Sequence, residues 1–142
     1  MRVRYLLGST FLLVLPSFGS FAGGSASGAS GVQILTSGEV LSCQARDGRD
    51  GRLWPCKIQI TSHDASTGAI AGELTWPTLS SVHRIQGKLS GNSLTFTETQ
   101  AIRKGSAHLN VAYTMTVSPG AATGSYLDHG DNSRGGMTIT LR

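Results

Sequence analysis

The sequence predicts an all-β protein: an eight-stranded antiparallel up-and-down barrel carrying one disulfide, with a two-sheet β-sandwich as the alternative. Three observations lead there. Short runs of alternating apolar and polar residues recur between Glu39 and Leu141, separated by turn residues. No stretch keeps a helical period. Cys43 and Cys56 are the only cysteines and fall on neighbouring runs.

The chain opens with features of a secretory signal. Arg2 and Arg4 precede an apolar stretch from Tyr5 to Leu15, and Ser20-Phe21-Ala22 offers small residues for cleavage. Residues 1–22 are expected to be a signal peptide, too short in its apolar part for the roughly 20 residues of a bilayer span. Residues 23–31 contain only Gly, Ser and Ala, a composition that cannot offset its ordering entropy and predicts a flexible leader. A single domain is expected over 32–142. Export, periplasmic or extracellular, places both cysteines in an oxidising compartment, where a Cys43–Cys56 disulfide is the expected outcome.

Charge excludes one class of partner. Two of the twelve Lys/Arg residues lie in the signal, leaving ten against eight Asp/Glu. That balance, without a basic stripe interleaved with aromatics, predicts no nucleic-acid binding.

The strands are expected near Glu39–Arg46, Cys56–Ser62, Gly68–Trp76, Val82–Leu89, Ser93–Ile102, Ala107–Val117, Ala122–Asp128 and Gly136–Leu141. Gly91-Asn92 reads as a two-residue hairpin turn and pairs Leu89 with Leu94, Gly87 with Phe96, Ile85 with Glu98 and His83 with Gln100. Pro119-Gly120 pairs Val117 with Ala122 and Tyr113 with Tyr126. A symmetric turn over Pro77–Ser81 sets Trp76 opposite His83 and Gly72 opposite Gly87. The first hairpin sets Cys43 against Cys56, within bridging range. These registers agree on one buried face, which includes Leu41, Ile58, Ile85, Leu94, Phe96, Leu109, Tyr113, Met115, Tyr126, Met137 and Ile139; a slip of one residue would reverse it.

In a meander, alternate loops share an end. One end therefore gathers Arg46, Asp47, Arg49, Asp50, Arg52, Arg103, Lys104, His129, Asp131 and Arg134, whereas the other holds His63 and Asp64. The same register turns Trp76, His83, Glu98, Gln100 and Asp128 inward near the charged mouth. Trp76, His83, Glu98 and Gln100 are the candidate ligand-binding residues, the indole stacking on a small polar molecule while the others orient it. A plugging tryptophan and a solvent-reaching His83 and Glu98 are the structural alternative. His83 and Glu98 could also act as an acid/base pair.

Other chemistries lack their residues. The two cysteines form no CxxC and no HxxxH occurs, so no metal site is assigned. There is no GxSxG elbow, P-loop, dinucleotide fingerprint or HExxH, so no catalytic residue and no cofactor is assigned. The expectation is a non-enzymatic binder of a small molecule, or alternatively a protein-binding module such as an enzyme inhibitor working through its charged loops or leader.

In strand number, meander order and inward alternation, the chain resembles the calycin group of secreted barrels, the lipocalins and avidins. That resemblance implies a barrel with one internal ligand. Its motifs do not carry over: Gly38-Glu39-Val40 stands where a lipocalin has Gly-x-Trp, and Trp54 and Trp76 are too few for an avidin-type biotin site. The export signal, eight strands and single disulfide are also similar to bacterial periplasmic metalloprotease inhibitors, whose flexible N-terminal segment enters the protease cleft. Fold-level likeness does not fix function.

Overall fold

The structure, a computed structural model, describes residues 35–142. The expected signal peptide, leader and first residues of the domain lie outside the described residues. Eight strands follow one another in chain order: β1 (Val40–Asp47), β2 (Leu53–His63), β3 (Ala69–Trp76), β4 (Ser81–Ser90), β5 (Ser93–Arg103), β6 (Val111–Ser118), β7 (Ala121–Asp128) and β8 (Arg134–Thr140). Each pairs antiparallel with the next, and β8 returns to β1 through pairs such as Cys43 with Ile139. The sheet is a closed barrel, not a two-sheet sandwich.

Closure turns alternation into a core. The inward positions bury Leu41, Ile58, Leu74, Ile85, Leu94 and Ile139 to 2% exposure or less, each contributing roughly 1.5–3 kcal/mol by leaving water. Leu35 adds itself to this core, with Gly38 N donating to Ile60 O beside it. Lys57, Gln59, Arg84, Gln86, Lys88 and Thr95 face outward and are exposed. An apolar interior under a polar exterior is the reverse of a lipid-embedded barrel. Among the described residues no helix is long and apolar enough to cross a membrane.

The short turns set register as expected. Leu89 pairs with Leu94, Gly87 with Phe96, Val117 with Ala122 and Tyr113 with Tyr126. Gly87 has a steric reason: a Cβ there would stand 2.6 Å from Phe96 Cα. The first hairpin brings Cys43 opposite Cys56, their Cα atoms 4.9 Å apart, and the disulfide forms. A bridge of this kind belongs to an oxidising environment, in keeping with export.

Three expectations need correction. Trp76 pairs with Ser81 rather than His83, and His83 faces Leu74. The cause is a single 3-10 turn, Pro77–Leu79, closed by Ser80 at φ 53°, which tightens the connection and moves the register by two residues. Gly72 consequently faces Ile85 instead of Gly87, although an even shift keeps every side chain on its expected face. Second, β6 begins at Val111, not Ala107; residues 104–110 form an arch that ends at Asn110 with φ 65°. Leu109 is therefore only half-buried, as is Tyr126 at the rim. Third, β2 starts at Leu53 and contains Pro55. β3 pairs with β2 only from Lys57 onward, so Pro55 has a strand on one side alone, the situation in which a missing N–H is tolerated.

The disulfide spans a sequence separation of 13 residues, a loop whose closure is worth about 3 kcal/mol in the unfolded chain. The double variant Cys43→Ala/Cys56→Ala is expected to fold and to lose about that much stability in urea denaturation. A loss below about 1 kcal/mol would show that barrel closure alone holds the first hairpin.

Candidate functional site at the barrel mouth

Four connections meet at one end: residues 48–52, 77–80, 104–110 and 129–133. Beneath them the core stops short of filling the barrel, and a cavity of about 270 Å³ opens among Ala45, Trp54, Trp76, Glu98, Tyr113 and Tyr126, with Asp47, Arg49, His108, Asp128 and Asp131 around its upper wall. Small residues leave this room. Ala45 pairs with Trp54 on one side and Met137 on the other, and a Cβ at Gly135 would stand 2.5 Å from the Tyr126 ring.

Glu98 is the deepest charged group on the wall, 1% exposed. Its Oε2 meets His83 Nδ1, and its Oε1 accepts the Tyr113 hydroxyl at 2.5 Å. The three come from β5, β4 and β6, all at inward positions. Burial drives the Glu98 carboxyl above its ordinary pKa, opposed by the bonds from His83 and Tyr113 and, more weakly, by the Trp76 indole. Burial also pushes the Tyr113 hydroxyl well above its ordinary range, helped by the adjacent Glu98 charge, so it remains a donor. The Tyr113 ring stacks on Phe96 at 4.5 Å and meets Tyr126 at 6.2 Å, an aromatic column running from core to rim.

A second cluster lines the rim. His108 Nδ1 lies 2.6 Å from Asp128 Oδ2, while Asp128 Oδ1 accepts Gly130 N at 2.7 Å. Arg49 reaches Asp47 at 3.2 Å and Asp131 at 3.5 Å. The Arg49 bond holds the Asp47 carboxyl below its usual range, and bonds from Ser133 do the same for Asp131. The arch is tied down as well: Leu79 O accepts Ser106 N at 3.0 Å, and Ser81 Oγ accepts Ala107 N at 3.1 Å. His108, Asp128 and Asp131 bring potential ligand atoms within 4.8 Å of one another. A cation there would have to displace the His108–Asp128 contact and the Arg49 guanidinium, which already supplies positive charge.

Three of the four candidate residues occupy the interior of this end. Trp76 and Glu98 line the cavity, whereas His83 stands behind Glu98 and does not reach the wall. Gln100 does not join them. β5 carries two bulges: Ile85 pairs with Glu98 but Arg84 pairs with Gln100, so Thr99 is an extra residue and Gln100 turns outward with Arg84. Tyr113 and Tyr126 were expected inside but not in the site. His108 was hidden because Ala107, Leu109 and Val111 alternate like a strand; Asn110, a residue tolerant of left-handed backbone, was the available sign of an arch.

No protein-family model, curated protein or solved structure matches this chain.

A carboxyl whose pKa is raised on folding binds its proton more tightly in the folded state. Its stabilising contribution is complete below the ordinary value of 4.5 and is lost as pH rises through the folded value. Thermal melts of wild type and Glu98→Gln over increasing pH, starting from about 4, are therefore expected to show wild type losing ground to the variant. A difference that stays flat, or moves in favour of wild type, would mean that the His83 and Tyr113 bonds outweigh burial.

Proposed function

We propose that the protein is a non-enzymatic barrel that binds one small polar molecule at its charged mouth. The observation that carries this reading is the unfilled recess at the mouth: a cavity of about 270 Å³ lined by aromatic residues, with the buried Glu98–Tyr113 pair on its wall. An eight-stranded barrel either fills itself or holds one small ligand. Here the apolar residues fill the end away from the loops and stop below Glu98. Convergent polar groups in an apolar-walled recess are the usual composition of a binding pocket. Within this reading the calycin resemblance is one of architecture and of ligand placement.

Hydrolysis by His83 and Glu98 fits less well. The two touch, but His83 does not line the space a substrate would occupy, so the pair does not present both members to one substrate. Capture of a protein through the charged loops is also less favoured. Asp47, Arg49 and Asp131 are paired with one another, as are Asp50 with Arg52 and His108 with Asp128, so these charges organise the rim.

A library of small polar molecules screened by thermal shift tests the reading. A true ligand raises the melting temperature and changes the emission of Trp54 and Trp76, which line the recess. Ala107→Trp, placed on the half-buried arch residue that lines the cavity, is expected to abolish both responses while the barrel still folds. Binding that survives Ala107→Trp, or a library without a single hit against wild type, overturns the mouth as a ligand site.

A further inference from the structure

We infer that the molecule held at the mouth is a compact organic cation, an alkylammonium or amine, rather than an anion or a neutral polyol. This rests on the mouth being a ligand site and adds the chemical class of the ligand.

The first ground is the sign of the wall. Carboxylates of Asp47, Glu98, Asp128 and Asp131 surround the cavity, and Arg49 is the one Lys or Arg among its lining residues. Arg49 is committed to Asp47 and Asp131, and its guanidinium is held at the rim, largely exposed. Glu98 and Asp128 therefore remain the two buried carboxylates without an arginine, at 1% and 7% exposure.

The second ground is the direction of the hydrogen bonds. Tyr113 OH is spent on Glu98 Oε1, His83 Nδ1 on Glu98 Oε2, His108 Nδ1 on Asp128 Oδ2, and the Gly130 amide on Asp128 Oδ1. Each Asp128 oxygen has thus taken one donor, and the two Glu98 oxygens have taken His83, Tyr113 and, more weakly, the Trp76 indole, which still leaves acceptor capacity on both carboxylates. An anion entering here meets carboxylates whose nearby donors are turned away from it; an ammonium meets unused acceptors.

The third ground is the aromatic enclosure. Trp54, Trp76, Tyr113 and Tyr126 flank the space; one face of Trp54 already carries the Arg52 guanidinium at 5.5 Å and one face of Tyr113 is stacked on Phe96. Ring faces attract cations, tryptophan most strongly. A ring beside a buried carboxylate favours a soft, weakly hydrated cation over a strongly hydrated metal ion, and the modest volume limits it to a few heavy atoms.

The test uses three molecules of nearly one shape: choline, its neutral isostere 3,3-dimethyl-1-butanol, and the anion 3,3-dimethylbutanoate. Each is titrated into the oxidised protein while Trp fluorescence is followed, with calorimetry as a second readout. Choline is expected to bind at least roughly tenfold more tightly than the butanol, and the anion most weakly. Asp128→Asn and Glu98→Gln are each expected to weaken choline about tenfold more than they weaken the butanol. Should Glu98→Gln fail to fold, Asp128→Asn and Trp54→Leu, both at the rim, carry the comparison. Equal or tighter binding of the butanol or the anion overturns the cation assignment and leaves the mouth as a site. Lack of binding by choline also overturns it, and the screen against Ala107→Trp then decides separately whether the mouth binds anything.

Discussion

Every feature of this protein depends on β8 pairing with β1. Without that seam the sheet has two open edges and its apolar face can slide or open; with it, each residue of a strand is committed to the inside or the outside. The pairing runs from Cys43 opposite Ile139 to Asp47 opposite Gly135, so it also sets the height at which the mouth begins. The disulfide then reinforces the strand that makes the seam, since Cys43 is paired with β2 and β8 at once. A thin core of this size gains much from a staple at its closing strand.

The same commitment creates the site by obliging polar residues to go inside. His83, Glu98 and Asp128 occupy inward positions because their neighbours two residues away do, not because the interior welcomes charge. Burying a carboxylate costs several kcal/mol unless its lone pairs are met. Glu98 is met from β4 and β6, the strands on either side of β5, so its partners are fixed by the barrel and not by a mobile loop. That arrangement leaves Glu98 in balance: burial raises its pKa, and the bonds from His83, Tyr113 and Trp76 oppose the rise without cancelling it. A carboxyl held in this way presents its oxygens in a geometry already set by the barrel, so a ligand bound there need not order them.

Much of this was legible in the sequence, for reasons that differ by element. Gly91-Asn92 and Pro119-Gly120 are two-residue turns, and a turn that short leaves one register available. The pairs near each turn are those observed, but along β4 and β5 the agreement ends at Ile85 opposite Glu98, beyond which His83 meets Ala101 and not Gln100. The Pro77–Ser80 connection admitted more than one closure, and Ser80 in the left-handed region gave no warning, since serine seldom adopts it. The bulges on β5 were harder still. Thr97, Thr99, Gln100 and Ala101 are all small or polar, so the alternation that marks parity elsewhere is silent where parity changes. That silence is what put Gln100 inside on paper and outside in the barrel. The rim cluster of His108 with Asp128 joins residues 20 apart through an arch whose shape depends on Leu79 O and Ser81 Oγ, contacts that sequence pattern does not encode.

The two ends of the barrel also differ in how their polar groups are satisfied. At the far end Asp64 caps its own turn, accepting from Ser66 N at 2.9 Å and from the Ser66 hydroxyl, and the interior beside it is apolar. At the mouth the connections bond to one another: the arch to the 3-10 turn, His129 N to Asn110 O, Gly48 N to Arg134 O. Cross-tied loops hold their shape over an unfilled interior, where independent loops would collapse into it or sway. The β5–β6 ladder ends at Thr97 opposite Ala112, just before the bulges at Thr99 and Ile102 in the β4–β5 pairing, and the arch lies beyond the end of that ladder. Pairing is irregular at Thr61 on β2, toward the far end, and at Thr99 and Ile102 on β5, beside the mouth; only at the mouth does the irregular stretch adjoin a buried carboxylate, Glu98, which its neighbouring strands hold.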